Sequence, residues 1–332
     1  MYNEYITQIK NELINIPDGI LFEQTYPCID TPVCSEHLDT LPKSKGKKIS
    51  WKLLTGITII FQDYLAEQIS CNHKPEKELL EINYCRYGRI GWNMKNGRSI
   101  YLGPGDFSLH TRQLCAGSVM TLPSGHYEGL TVCIDLSQFD QAPPELLRGT
   151  KITGQMLSEK FCSRGNFSLL TGNEKTEAIF SGFYNLSENL RKQYFILKSL
   201  ELLLYLSEFK ITSGKEPGKY QSEQVEIIRQ IHDYLLQNIN HRITIEELSK
   251  QYLMNPTTLK SVFKAVYGDS LAAHMREHRL EKAAILLTET NNSISQIAKA
   301  VGYTSQSRFS TAFHEVYQML PLEYRRIHSN IH

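Results

Sequence analysis

From residue 222 onward, apolar positions return every three or four residues, the spacing that lines one face of a helix. Ser222 is a candidate cap for a helix with Val225, Ile228, Ile231, Tyr234, Leu235 and Ile239 inward. Thr244 to Glu247 is a capping box, predicting a short helix with Ile245, Leu248 and Tyr252 inward. Asn255-Pro256 opens a further helix, because Asn caps and Pro at the first position sacrifices no hydrogen bond. Its core face is Leu259, Val262, Phe263 and Val266, and Gly268 stops it.

The pattern then recurs. Ser270 caps a long helix carrying Leu271, Met275, Leu280, Ala283, Ala284 and Leu287. Ser293 to Gln296 is a second capping box, with Ile294, Ile297 and Ala298 inward. Val301-Gly302-Tyr303 makes a turn suited to positive φ at Gly302. Ser305 caps a last long helix with Phe309, Ala312, Phe313 and Val316 inward, and Pro321 and Tyr324 fall in a closing turn. Two short helices joined by a tight turn, twice over, is tandem helix-turn-helix patterning.

Upstream the period changes. Ile57 to Phe61 and Leu79 to Tyr84 are rich in β-branched and aromatic residues, and Asn96-Gly97 is a two-residue hairpin signal. Gly103-Pro-Gly-Asp106 and Pro123-Ser-Gly125 punctuate further strands, which predicts a β-barrel or sandwich. Helical spacing follows over 174–190 and 191–210, where Leu197, Leu200, Leu204 and Phe209 are among the apolar positions. The polar segment 211–221 reads as a linker. The expected organisation is a β-rich domain over 1–140, a helical segment over 141–210, a linker over 211–221 and an all-helical domain over 222–332.

Composition adds bounds. Hydrophobic residues make up 41% and charged residues 21% of 332, ordinary for a globular protein. No apolar run suffices for a membrane span, and Met1-Tyr-Asn-Glu-Tyr5 lacks the form of a secretory signal, so a cytoplasmic location is expected. Cysteines 28, 34, 71, 85, 115, 133 and 162 include no CxxC pair and read as small buried hydrophobes, with metal binding or redox sensing by Cys28 and Cys34 the sharper alternative. Net charge is +1, and residues from 221 onward hold 12 Lys+Arg against 11 Asp+Glu, so nucleic-acid affinity must come from where cations sit. Lys43, Lys45, Lys47 and Lys48 read as a solvated loop. His274 and His278 stand four apart, but two ligands make no closed metal site.

The stretch 222–326 resembles the DNA-binding domain of the AraC/XylS family. The resemblance is carried by Ile243 to Leu248, Leu259 to Lys264, Arg279 to Ala283, Ile294 to Ala298, Val301-Gly302-Tyr303, Phe309 to Phe313 and Pro321 to Arg325. Gln318 and Leu320 depart from the family's usual Gly and Thr or Ser, and Thr311 and His314 stand where Arg and Lys are common. The resemblance implies that the second helix of each unit lies in a major groove. On the first, Thr257, Thr258, Lys260, Ser261 and Lys264 are the candidate contacts; on the second, Gln306, Ser307, Arg308 and Thr311. Lys260, Gln306 or Arg308 suit base edges, Lys264 suits phosphate, and the helix starts at Thr244 and Ser293 offer amides to phosphate. Arg279 and Glu281 read as structural.

The resemblance further implies an α+β chain. Its N-terminal cupin-like β-barrel would hold a small-molecule effector, its helical segment would pair two copies into a homodimer or pack on the barrel as plain domain core, and its C-terminal all-α tandem helix-turn-helix domain would bind double-stranded DNA. Trp51, Tyr84, Arg86, Trp92, His110, His126 and Tyr127 are candidate effector contacts, and equally what an ordinary core and its rim would contain. Glu81 to Gly88 and Leu122 to Gly129 look like a siderophore-responsive subgroup, which would make the effector siderophore-like. His110 and His126 form no His-x-His set, so no catalytic residue, metal or cofactor is assigned. The expected function is an effector-controlled transcription regulator, an activator on family grounds, that meets RNA polymerase at a promoter. A cupin-type enzyme fused to a DNA-binding tail and a ligand-independent architectural protein are the alternatives.

Overall fold

The computed structural model describes residues 9–27, 34–37, 44–70, 74–94, 97–162, 167–210 and 219–328. Side chains are described for all of these except 34–37 and 219. The chain divides into two compact units, Met1–Ser222 and Glu223–His332. No described helix is long and apolar enough to cross a membrane.

The first unit is sheet-rich. Its strands, numbered along the chain, begin with β1 (Ile20–Tyr26), β2 (Cys34–His37), β3 (Lys45–Leu54), β4 (Ile57–Leu65), β5 (Gln68–Ser70) and β6 (Leu79–Gly88). Then come β7 (Ile90–Asn93), β8 (Arg98–Leu102), β9 (Phe107–Thr111), β10 (Val119–Thr121), β11 (His126–Asp135), β12 (Ser168–Leu170) and β13 (Lys219–Gln221). The larger sheet runs β12-β9-β6-β11-β4-β3-β1-β2, and the smaller runs β13-β8-β7-β10-β5. Gly97, at φ 77, turns β7 into β8 as the hairpin signal requires; its neighbour Asn96 lies outside the described residues.

The larger sheet is covered on both faces. On one, Ile57, Ile59, Tyr84, Val132 and Ile134 pack against Phe139, Leu157, Phe180, Phe195 and Leu203. These come from α2 (Leu136–Gln141), α3 (Gly154–Phe161), α4 (Glu174–Ser181) and α5 (Arg191–Glu208); α1 (Arg112–Cys115) is a single turn after β9. On the other face, Tyr64, Cys85 and Tyr127 meet Ile69, Ile90, Trp92, Ile100 and Leu102 of the smaller sheet. Every residue of β11 before Asp135 is buried, as a central strand between two layers must be.

Four expectations need correction. The described strands form two open sheets rather than a closed barrel, because the helices cover one face of the larger sheet and the smaller sheet covers the other. Helical spacing was expected through residue 190, but α4 ends at Ser181. Gly182 packs so closely that a Cβ there would lie 2.3 Å from the Lys198 side chain, and Asn185 has φ 56. Within the expected linker, 211–218 lie outside the described residues, while Lys219–Gln221 form β13, paired with β8. Lys45, Lys47 and Lys48 belong to β3, with Lys48 2.9 Å from Glu23; Lys43 lies outside the described residues.

The cysteines with described side chains, Cys85, Cys115, Cys133 and Cys162, are free and buried. Burial pushes the Cys162 thiol up to about 11, so it stays protonated. Cys28, Cys71 and the side chain of Cys34 lie outside the description.

The second unit is helical: α6 (Ser222–Gln237), α7 (Ile245–Gln251), α8 (Pro256–Tyr267), α9 (Leu271–Glu289), α10 (Ile294–Ala300), α11 (Gln306–Tyr317) and α12 (Pro321–His328). Val225, Ile228, Ile231, Leu235, Leu248, Leu259, Val262, Phe263, Val266 and Met275 are buried around the first helix pair. Leu280, Ala283, Leu287, Ile297, Ala298, Val301, Phe309 and Phe313 form the second core. Val316, expected inward, is 49% exposed; the next residue, Tyr317, packs against that core instead, stacked on Phe313 at 4.4 Å.

Candidate nucleic-acid interface

Both helix-turn-helix units are framed by their own side chains. Thr244 Oγ1 accepts from the Glu247 amide while Glu247 Oε2 accepts from the Thr244 amide at 2.7 Å. Ser293 and Gln296 repeat that exchange one unit later. Asn255 Oδ1 accepts from the Thr257 amide at 2.9 Å, and Ser305 Oγ from the Arg308 amide at 3.3 Å, so the N-termini of α8 and α11 are both capped.

The two turns are in phase but unequal. Gly302, at φ 80, sits so tightly that a Cβ would lie 2.8 Å from the Ile239 carbonyl oxygen. Forty-nine residues earlier Leu253 takes the same left-handed conformation at φ 51, with its side chain 93% exposed. The helix ends differ likewise. Gly268 closes α8 at φ 94, whereas Gln318 closes α11 at φ 55, where a side chain is strained.

Long helix α9 holds the halves together through Arg279. Its Nε donates to the Ile239 carbonyl at 2.9 Å and its Nη2 to that of His241 at 2.8 Å, satisfying carbonyls after α6. Arg325 does the same at the end of α9, with Nε to Leu287 O at 3.2 Å and Nη2 to Asn292 O. Arg279 therefore has the structural role expected of it, and Glu281 pairs with His278.

The residues expected to contact DNA lie on faces turned away from these cores. On α8, Thr257, Lys260, Ser261 and Lys264 are exposed and Thr258 is half-buried; on α11, Gln306, Ser307, Arg308 and Thr311 are exposed. The electrostatics differ between the two. The α8 face presents two lysines and no acid. Along α11, Ser307, Ser310, Thr311, His314, Glu315, Leu320 and Glu323 line a groove that includes two carboxylates. Glu315 pairs with Arg276, and Glu323 accepts from the Leu320 amide at 3.0 Å. Arg308 is thus the principal cation of the second face. The start of α7 is less open to phosphate than expected, since the Glu247 carboxylate already occupies it and Glu246 stands beside it.

The expected effector contacts do not share one place. Tyr84 and Arg86 share one face of β6 and line a cavity of about 300 Å³ with Tyr87, Glu177 and Tyr184. Arg86 pairs with Glu128 and lies 3.9 Å from the Tyr184 ring centre, while Tyr84 donates to Glu177 Oε2 at 3.0 Å. Burial opposes the charge on Arg86, but Glu128 outweighs it and raises the pKa. Burial and Glu177 also push the Tyr84 hydroxyl up. Trp51 lies elsewhere, stacked on Tyr26 at 4.4 Å and edge-on to Phe195. Trp92, His110 and Tyr127 are buried between the sheets, with His110 stacked on Phe167 at 4.0 Å. His126, the neighbour of Tyr127 on β11, is buried separately, with its Nδ1 2.9 Å from the Ser124 carbonyl oxygen. His110 does not stand alone: Glu81 and Cys115 lie within ligand distance of it, although the Arg112 guanidinium 3.6 Å from Glu81 already supplies a cation there. Those partners sit 29 and 5 residues from His110 in sequence, so only strand pairing brings the group together.

Comparison with known proteins matches residues 248–327 to the family described as a helix-turn-helix domain. The chain is 34% identical over 83 residues to the HTH-type transcriptional regulator AlkR of Acinetobacter baylyi. It is 36% identical over 83 residues to a putative AraC-like transcription regulator of Streptomyces lividans. Each alignment covers 25% of this chain and 27% of the relative. The C-terminal unit carries an AraC-type helix-turn-helix domain. The alignments with such regulators thus span well under half of their length. Among solved structures, the C-terminal domain of AraT, a response regulator from Geobacillus stearothermophilus, is 33% identical. That superposition covers 31% of this chain and 86% of that one, with a TM-score of 0.30.

Proposed function

We propose that the chain is a sequence-specific DNA-binding transcription regulator. The observation that carries this is the duplicated helix-turn-helix, in which α8 and α11 both turn a polar, capped face outward while their apolar faces fill two separate cores. The AraC-type domain is of a kind found in proteins named as transcriptional regulators. Each recognition helix enters a major groove of one duplex, with Lys260, Gln306 and Arg308 toward base edges. Thr257, Thr258, Ser261, Ser307 and Thr311 flank them, and Lys264 meets phosphate. The cationic α8 supplies more of the salt-dependent affinity and α11, with carboxylates near its end, supplies less.

The sheet-rich unit is the sensing module. Its cavity beside Arg86, Tyr84 and Tyr184 joins apolar walls to a few directed polar groups, as ligand sites do. At about 300 Å³ it is at the small end for such sites, which favours a compact polar ligand over a bulky siderophore-like one. Ligand binding shifts the population competent for DNA. The α5 face bearing Leu197 and Leu204, 59% and 41% exposed, supports homodimerisation. Activation through RNA polymerase and a cytoplasmic location complete the proposal.

Selection of bound duplexes from a random pool tests this. The expected result is a non-palindromic consensus with two conserved blocks; recovery of unrelated sequences at equal affinity would refute it.

A further inference from the structure

Three histidines meet in the helical unit, away from the proposed DNA-facing surface. His274 and His278 lie one turn apart on α9, and their Nε2 atoms are 3.1 Å from each other. The sequence shows that pair, but not the third ring, which α6 brings in from 42 residues away. His232 packs against both, with ring centres 5.1 Å from His274 and 5.6 Å from His278. One ligand nitrogen from each of the three lies within 4.8 Å of the others. Nitrogens bound to a single tetrahedral ion at about 2.0–2.1 Å stand roughly 3.3 Å apart, so small side-chain shifts would close the set.

The surroundings favour ligation. His278 Nδ1 is 3.1 Å from Glu281 Oε2, and His232 Nδ1 is 3.5 Å from Asp233 Oδ1. A carboxylate on Nδ1 fixes a metal-binding histidine's tautomer and leaves the Nε2 lone pair free. His232 Nε2 is buried and has no hydrogen-bond partner among the described residues. Tyr267 stacks on His232 at 4.4 Å, and Phe263 lies edge-on to His274, walling the group on the α8 side.

We propose that His232, His274 and His278 form a binding site for one borderline divalent transition-metal ion such as Zn²⁺. Three imidazoles suit that class, whereas Mg²⁺ and Ca²⁺ demand oxygen ligands. The ion ties α6 to α9 beside Tyr267, the last residue of α8, and so braces the first helix-turn-helix pair.

The test uses the full chain without a histidine tag, stripped by chelation and titrated with Co²⁺. One Co²⁺ per chain is expected, with visible d–d absorption that Zn²⁺ abolishes. His232→Gln should remove that absorption, and Glu281→Gln should weaken Co²⁺ binding by roughly 10–100-fold. Absorption unchanged in His232→Gln, or no binding to the wild-type chain, overturns the site. Should His232→Gln fail to fold by circular dichroism, X-ray absorption of the Zn²⁺-loaded wild type decides. A shell with three imidazoles supports the proposal, and one containing cysteine sulfur or lacking imidazole overturns it.

Discussion

Arg279 reaches from the middle of α9 to the carbonyl of Ile239, donating from Nε at 2.9 Å. Its Nη2 holds His241 O, so one guanidinium fastens the first helix-turn-helix to the helix that leads into the second. Charged hydrogen bonds of this kind contribute about 1.5–3 kcal/mol each at most, with considerable overlap when shared by one side chain. Arg279→Met should therefore destabilise the helical unit by about 2 kcal/mol in urea unfolding. Arg279→Lys should recover only part of this, because an ammonium cannot reproduce the planar fork. Equal stability in all three proteins would show that the contact is incidental.

Backbone strain offers a second check. Gln318 and Leu253 occupy left-handed positions whose counterparts in the other unit, Gly268 and Gly302, are glycine. A side chain in that region costs about 1–2 kcal/mol. Gln318→Gly should raise stability by roughly 1 kcal/mol despite the entropy glycine adds to the unfolded chain. Gly302→Ala should lower it by more, since the new Cβ would also meet the Ile239 carbonyl. Thermal melts of both variants decide this, and a less stable Gln318→Gly contradicts the strain account.

Much of the helical unit was legible because local signals agreed. The Thr244 and Ser293 boxes, Asn255-Pro256 and Gly268 each act within a few residues of where they stand. The sheet-rich unit was legible only as strands and turns. Which face of β6 carried Tyr84 and which carried Cys85 follows from pairing with β11 and β9, partners distant in sequence. That Trp92, His110 and Tyr127 fill the layer between two sheets is therefore visible only in the structure. The grouping of His232 with His274 and His278 is hidden from the sequence for the same reason, since two separate helices supply it.

The base-reading assignment makes a split prediction. Lys260→Ala and Arg308→Ala should each relax preference at one block of the selected site, costing about 1–3 kcal/mol of discrimination. Lys264→Ala should weaken matched and scrambled duplexes alike and reduce the salt slope by about one. Fluorescence anisotropy on both duplexes at several salt concentrations checks this. Uniform loss in all three variants would remove the distinction between base and phosphate contacts.

Asp63 gives a pH dependence to the sheet-rich unit. Burial, with Glu128 and Glu12 nearby, pushes its carboxyl up to about 7 from an ordinary 3.8. The folded state then holds a proton that the unfolded chain releases, so this group's contribution is full below 3.8 and is lost as pH rises to about 7. Asp63→Asn, permanently neutral, should gain melting temperature relative to wild type between pH 4 and pH 7. A constant difference across that range contradicts the assignment.

Hydroxyl-radical footprinting of the full chain on its selected duplex tests the central claim most directly. Two recognition helices in one domain predict two protected patches on one face of the duplex, about 10 base pairs apart. Arg308→Ala should weaken one patch and Lys260→Ala the other. A single patch, or two on opposite faces, would contradict a domain whose two outward helices share one duplex.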